Sequence, residues 1–82
     1  MEERDVTQIL SAADDSVSLI NGVNNGSWNV EGMEQSEIND MVQRNVEHLE
    51  IILAYEEVVD DDSDKSSYND AISTGNAYIA AN

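Results

Sequence analysis

No cysteine, proline or phenylalanine occurs among these 82 residues, and only three are lysine or arginine. Without cysteine there is neither a disulfide framework nor a thiolate metal site. Three basic residues against 18 acidic ones give a formal net charge of -15. That balance argues against direct contact with nucleic acid or an anionic membrane, since both need cationic side chains to displace counterions. No run approaches the roughly 18 apolar residues of a membrane-spanning helix. The start, "MEERDVTQIL", also lacks the basic and apolar segments of a secretion signal. The expected setting is therefore intracellular or virion-like. The expected partners are basic protein surfaces, or neighbouring subunits that supply positive charge.

A chain of this length makes one domain at most, with a marginal core that commonly leans on a metal or a partner. Hydrophobic content of 40% is too high for a disordered acidic tail, and the apolar residues are periodic. Val6, Ile9, Leu10, Ala13 and Val17 recur at helical spacing, which predicts a short helix over about residues 5–15. Asp5 and Gln8 would form its capping box. Residues 16–30 read instead as a loop, a hairpin or an extended arm. There Val17 and Leu19 alternate with serines, Trp28 and Val30 with polar neighbours, and two Asn-Gly pairs offer tight turns. Asn25-Gly26-Ser27 matches the glycosylation sequon, which is expected to go unused in the intracellular or virion-like setting.

Ser36 is a good N-cap for a long helix over about 34–59, with Glu37 and Asp40 near the positive end of its dipole. Ile38, Val42, Val46, Leu49, Ile52 and Leu53 make one stripe, and Met41, Ile51 and Tyr55 widen it. Such a helix is on the order of 40 Å long, more than a small globule needs, so a second apolar face is left for a partner. After "DDDSD", Ser63 or Asp64 caps a last helix over 65–80, in which Tyr68, Ala71, Ile72, Gly75 and Ile79 share a face. The short connection makes the two helices antiparallel. Gly75 weakens its helix by about 1 kcal/mol relative to alanine; close approach to the long helix, together with Ala71, would compensate.

The residues that carry chemistry elsewhere are poorly placed here. His48 is the only histidine, Glu47 and Glu50 flank it, and no second ligand stands at metal-binding spacing. There is no Gly-x-Ser-x-Gly elbow. Asp60, Asp62 and Asp64 occupy positions 1, 3 and 5 of a calcium loop, but Lys65 replaces the turn glycine and Ala71 the closing glutamate. No catalytic residue, metal or cofactor is assigned. Glu31, Glu34, Glu37, Asp40, Glu47, Glu50 and Glu57 could imitate a row of phosphates. Their three-residue spacing drifts about 60° per step, so they spiral around a helix instead of forming one rail.

"RNVEHLEIIL" and the ending "AISTGNAYIAAN" resemble the C-terminal half of small proteins encoded in tailed bacteriophage genomes, over about residues 43–82. That resemblance implies a phage origin, in the virion or, before assembly, in the host cytoplasm. The expectation is a mainly α protein: residues 1–30 form a short helix and arm, and 31–82 a helical hairpin. Val46, Leu49 and Leu53 would meet Tyr68, Ile72 and Ile79 in its core. Val17, Leu19 and Trp28 would contact other virion proteins or further copies of the chain. The expected function is a non-enzymatic structural or accessory part of a phage particle. The alternative is an acidic mimic that inhibits a host nucleic-acid-binding enzyme.

Overall fold

Residues 6–82 are described by a computed structural model. They form four helices, α1 (Val6–Asn25), α2 (Gln35–Ala54), α3 (Glu56–Val59) and α4 (Ser66–Ala81). No strand occurs among the described residues, so the protein is mainly α.

The first helix is 20 residues long and absorbs most of the segment expected to be a loop or arm. Its buried face runs Ile9, Ala13, Ser16, Ile20, Val23, an unbroken alternation of four and three. Ser16, only 3% exposed, holds a core position with a polar residue, which makes the apolar stripe look finished near residue 15. Val17 and Leu19 are not arm residues: both are partly buried against the core. The Asn-Gly pairs make no hairpin either. Asn21-Gly22 lies inside the helix, and Asn25-Gly26 ends it. Gly26 has φ +84°, the left-handed conformation that commonly terminates helices. The chain then folds back, and the Trp28 N–H donates to the Gly22 carbonyl at 3.0 Å. The expected Asp5 cap lies outside the described residues.

Ser36 sits inside α2, whose N-cap is Glu34. The Glu34 N–H donates to Glu37 Oε1 at 3.0 Å, so Glu37 occupies one of the free backbone donors at the helix start. The long helix is also shorter than expected. It breaks at Tyr55, which has extended backbone (φ -65°, ψ 136°). Helical geometry explains what the break achieves. Glu56 follows Leu49 by seven residues and would share its core-facing side, while Val58, nine residues on, would point the opposite way. Restarting the helix after Tyr55 exchanges them: Val58 is 0% exposed, and Glu56 is in solvent. At α4 the N-cap is Lys65, not Ser63 or Asp64; Asp64 stands one residue earlier and its Oδ1 accepts the Ser66 N–H at 2.9 Å.

The helices run up, down and up. Gln35 at the start of α2 donates to the Tyr78 hydroxyl near the end of α4 at 3.0 Å, so these two are antiparallel. Asp14 meets Tyr68, and Ile20 lies beside Gly75, so α1 runs parallel to α4. The pair expected as a hairpin is thus two thirds of a three-helix bundle measuring 40 × 24 × 18 Å. One core serves the whole bundle, so the division at residue 30 separates no two packing units. Ile9, Ala13, Ile20 and Val23 join Val42, Val46 and Leu49 within it. Of the six residues expected in the hairpin core, Val46, Leu49 and Tyr68 are buried, and Leu53, Ile72 and Ile79 lie partly buried at its edge.

Candidate functional site

Three places in the bundle bring reactive or charged side chains together. The first lies between α1 and α2, where Ser16 Oγ is 2.9 Å from Asn45 Oδ1 and 3.1 Å from His48 Nδ1. In the sequence His48 stands alone. Its partners are hidden there because Ser16 falls in a segment that reads as a loop. The 4-3-4-3 stripe through position 16 is the signal that could have found it.

A serine beside a histidine invites a nucleophile reading, and the proton count decides against it. Asn45 Nδ2 donates to the Met41 carbonyl at 2.8 Å, which turns Oδ1 toward Ser16. The single hydroxyl proton goes to that oxygen. Ser16 Oγ therefore faces His48 Nδ1 as an acceptor, and the imidazole must donate from Nδ1. A base that activates a serine does the reverse. With its Oγ in a nearly closed environment, Ser16 acts with Asn45 and His48 as a polar clamp between the helices. His48 is itself exposed and borders a cavity of about 290 Å³ with Gln8, Ile9, Ala12, Ile52 and Tyr55.

The second place is the α3–α4 loop. Two of its aspartates, Asp61 and Asp64, accept hydrogen bonds from the loop's own backbone. Asp61 accepts the Ser63 N–H at 3.1 Å and also the Ser63 hydroxyl. Lys65 Nζ lies 3.6 Å from the Asp61 carboxylate, donates to the Asp61 carbonyl, and reaches the Ser63 carbonyl at 3.0 Å. The Ser63 hydroxyl and N–H, with the Lys65 ammonium, hold the Asp61 carboxyl below the usual range. The Ser66 N–H does the same for Asp64. The three calcium-template residues Asp60, Asp62 and Asp64 are all exposed, and Asp64 accepts the Ser66 N–H. Among the described residues, no three His, Cys, Asp or Glu side chains converge on a point where a metal would sit.

Beside this loop, Asp14, Asp61, Asp64 and Tyr68 line an open depression of about 620 Å³ together with Val6 and Leu10. The Tyr68 hydroxyl donates to Asp14 Oδ1 at 2.9 Å. Burial pushes the Tyr68 phenol above its ordinary value, and the bond and negative charge of Asp14 add to this. Because the folded value is raised, the stabilisation is complete below the unfolded value of about 10 and is lost as pH rises through the folded one. Chemical denaturation between neutral pH and strong alkali should therefore show level stability to about pH 10 and a fall beyond it. Tyr68→Phe should flatten that fall; an unchanged alkaline limb would show that Tyr68 does not cause it.

The third place is the carboxylate-covered exterior. Glu31, Glu34, Glu37, Asp40, Glu47, Glu50 and Glu57 are all exposed. Within α2, Glu37, Asp40 and Glu47 fall within about 80° of one another, on the side away from the core stripe. These three make a short ridge, because the seven-residue step from Asp40 to Glu47 closes two turns, while Glu50 drifts about 60° further around the helix, as expected of a spiral. Arg44 stands exposed among them. The Lys65–Asp61 contact is the one ion pair among the described residues. Three larger apolar side chains are also exposed: Trp28 at 40%, Ile51 at 54% and Val59 at 64%. No helix is long and apolar enough to cross a membrane among the described residues.

No family model, curated protein or solved structure matches the chain. The phage resemblance of residues 43–82 rests on the quoted residues alone.

Proposed function

We propose that this protein is a non-enzymatic binding module whose carboxylate ridge docks onto a basic protein surface, in competition with the nucleic acid that surface normally holds. One observation carries the reading. Of the three apolar residues expected to await a partner, Val17 and Leu19 pack partly buried against the protein's own core while Trp28 stays exposed, and the α2 exterior carries the exposed carboxylates Glu37, Asp40, Glu47 and Glu50. A net charge of -15 favours fast, salt-sensitive encounter with a cationic cleft and rejects acidic partners. The helix fixes the backbone spacing of the α2 carboxylates, while their exposed side chains still lose rotamer freedom on binding.

The test is capture from host extract with the wild-type chain and with a Glu37→Lys, Asp40→Lys, Glu47→Lys variant. Wild type should retain DNA- or RNA-binding proteins that added nucleic acid displaces. The triple reversal should lower retention by about tenfold or more, since it alters both long-range steering and contact. Retention that is indifferent to the reversal and to added nucleic acid would rule the reading out.

A second reading keeps the phage particle as destination, with the protein as a minor structural or accessory component contacting virion neighbours or its own copies. Exposed Trp28, Ile51 and Val59 are the larger apolar side chains available for such contacts. Finding the chain in purified particles at a fixed copy number, with Trp28→Ala lowering its incorporation, would establish this role. Particles free of it would leave the binding module alone.

A further inference from the structure

The Asn-Gly pair at the end of α1 is unused by either reading, and its chemistry is specific. Asn25 is exposed, and its Oδ1 accepts the Ser27 N–H at 2.9 Å. That bond holds the side chain back over the intervening peptide and polarises the Cγ carbonyl toward attack. Gly26 adds no side chain to block the approach, and the space where its Cβ would stand is open. We propose that Asn25 is a self-modification site, deamidating through a cyclic imide formed with Gly26.

The step balances with water as the only co-reactant. The Gly26 nitrogen attacks Asn25 Cγ; a new C–N bond forms and the bond to Nδ2 breaks. The Gly26 amide proton leaves with the Nδ2 amino group as ammonia. Water then opens the imide at either carbonyl, giving aspartate or, with the main chain rerouted through the side chain, isoaspartate. Either product places a new carboxylate at the C-terminal end of α1, where the helix dipole disfavours anions. The rerouted backbone also disturbs the return that seats Trp28 on Gly22, so closely that a Cβ on Gly22 would stand 3.2 Å from Trp28 Cβ.

The molecule contains its own controls. Asn21 has the same glycine neighbour, but Gly22 is buried within the helix under Trp28, so reaction there requires local unfolding. Asn29 makes the same kind of side-chain bond, to the Glu31 N–H at 3.0 Å, but Val30 follows and its branched side chain crowds the attack.

The experiment is incubation of the folded chain at mildly alkaline pH, with tandem mass spectrometry to locate the replacement of side-chain amide by acid. Isoaspartyl methyltransferase labelling should identify the rerouted product. Asn25 should react at least about tenfold faster than Asn21, because reaction at the latter must wait for helix opening, and Asn29 should lag as well. In urea, Asn21 and Asn25 should converge. The emission of Trp28, the only tryptophan, should move to the red as modification proceeds, and Asn25→Gln should abolish both changes while leaving the helical circular dichroism intact. Equal rates at Asn21 and Asn25 in the folded chain, or an Asn25 no faster than Asn29, would overturn the proposal.

Discussion

Leu49→Asp should leave the chain largely unfolded at room temperature. Leu49 is 0% exposed and sits midway along the buried face of α2. Removing a leucine side chain from such a site costs about 2–5 kcal/mol, because the transfer energy is lost and a cavity remains. Placing a carboxyl there adds several kcal/mol more, whether it stays ionised without a partner or takes up a proton. Native domains hold roughly 0.05–0.15 kcal/mol per residue, so a chain this short has little stability beyond that sum. Far-ultraviolet circular dichroism should lose most of its helical signal, while Leu49→Ala should stay folded with a lower urea midpoint. A Leu49→Asp protein with an intact cooperative transition would place this residue outside the core.

Periodic apolar residues made α2 and α4 legible, and composition alone excluded thiolate sites. Where the sequence misled, polar residues held positions that the apolar pattern needed. Ser16 interrupts the α1 stripe with a hydroxyl, and the partners that satisfy it, Asn45 and His48, lie about thirty residues away along the chain. No local pattern shows such a pairing. Tyr55 is the opposite case. Nothing in "ILAYEEVV" breaks a helix by propensity; the break exists because Val58 is buried and Glu56 is not, a choice made by tertiary packing. The Asn-Gly pairs were recognised as turn chemistry, but the same left-handed backbone serves a hairpin or a helix end, and only the flanking pattern distinguishes them. The acidic ridge was visible as residues. Its alignment was not, because the α2 register had to be known first.

At Gly75 helix propensity and packing meet on one atom. A Cβ built there would lie 2.4 Å from Val46 Cγ2, 3.3 Å from Val42 Cγ1 and 3.4 Å from Ile20 Cγ2. Val46 cannot swing aside, because a β-branched side chain in a helix is held near one χ1 rotamer and this one is only 1% exposed. Any side chain at position 75 must therefore push α4 away from both α1 and α2. For Gly75→Ala two effects of opposite sign compete. Alanine improves the helix by about 1 kcal/mol, while overpacking a close contact costs about 1–3 kcal/mol. The expected net result is a modest loss. Gly75→Val forfeits most of the propensity gain and adds two methyl groups to the clash, so about 3 kcal/mol or more should be lost. The cause can be isolated with Val46→Ala, which removes the atom nearest the new Cβ. Val46→Ala alone should destabilise, but combined with Gly75→Ala it should cost less than the sum of the two by about 1 kcal/mol or more, the coupling of directly touching residues. Urea denaturation of the four proteins measures that difference. If Gly75→Ala instead raises stability by its full propensity value and the two changes simply add, α4 does not approach α2 closely, and the three-helix packing is wrong at its centre.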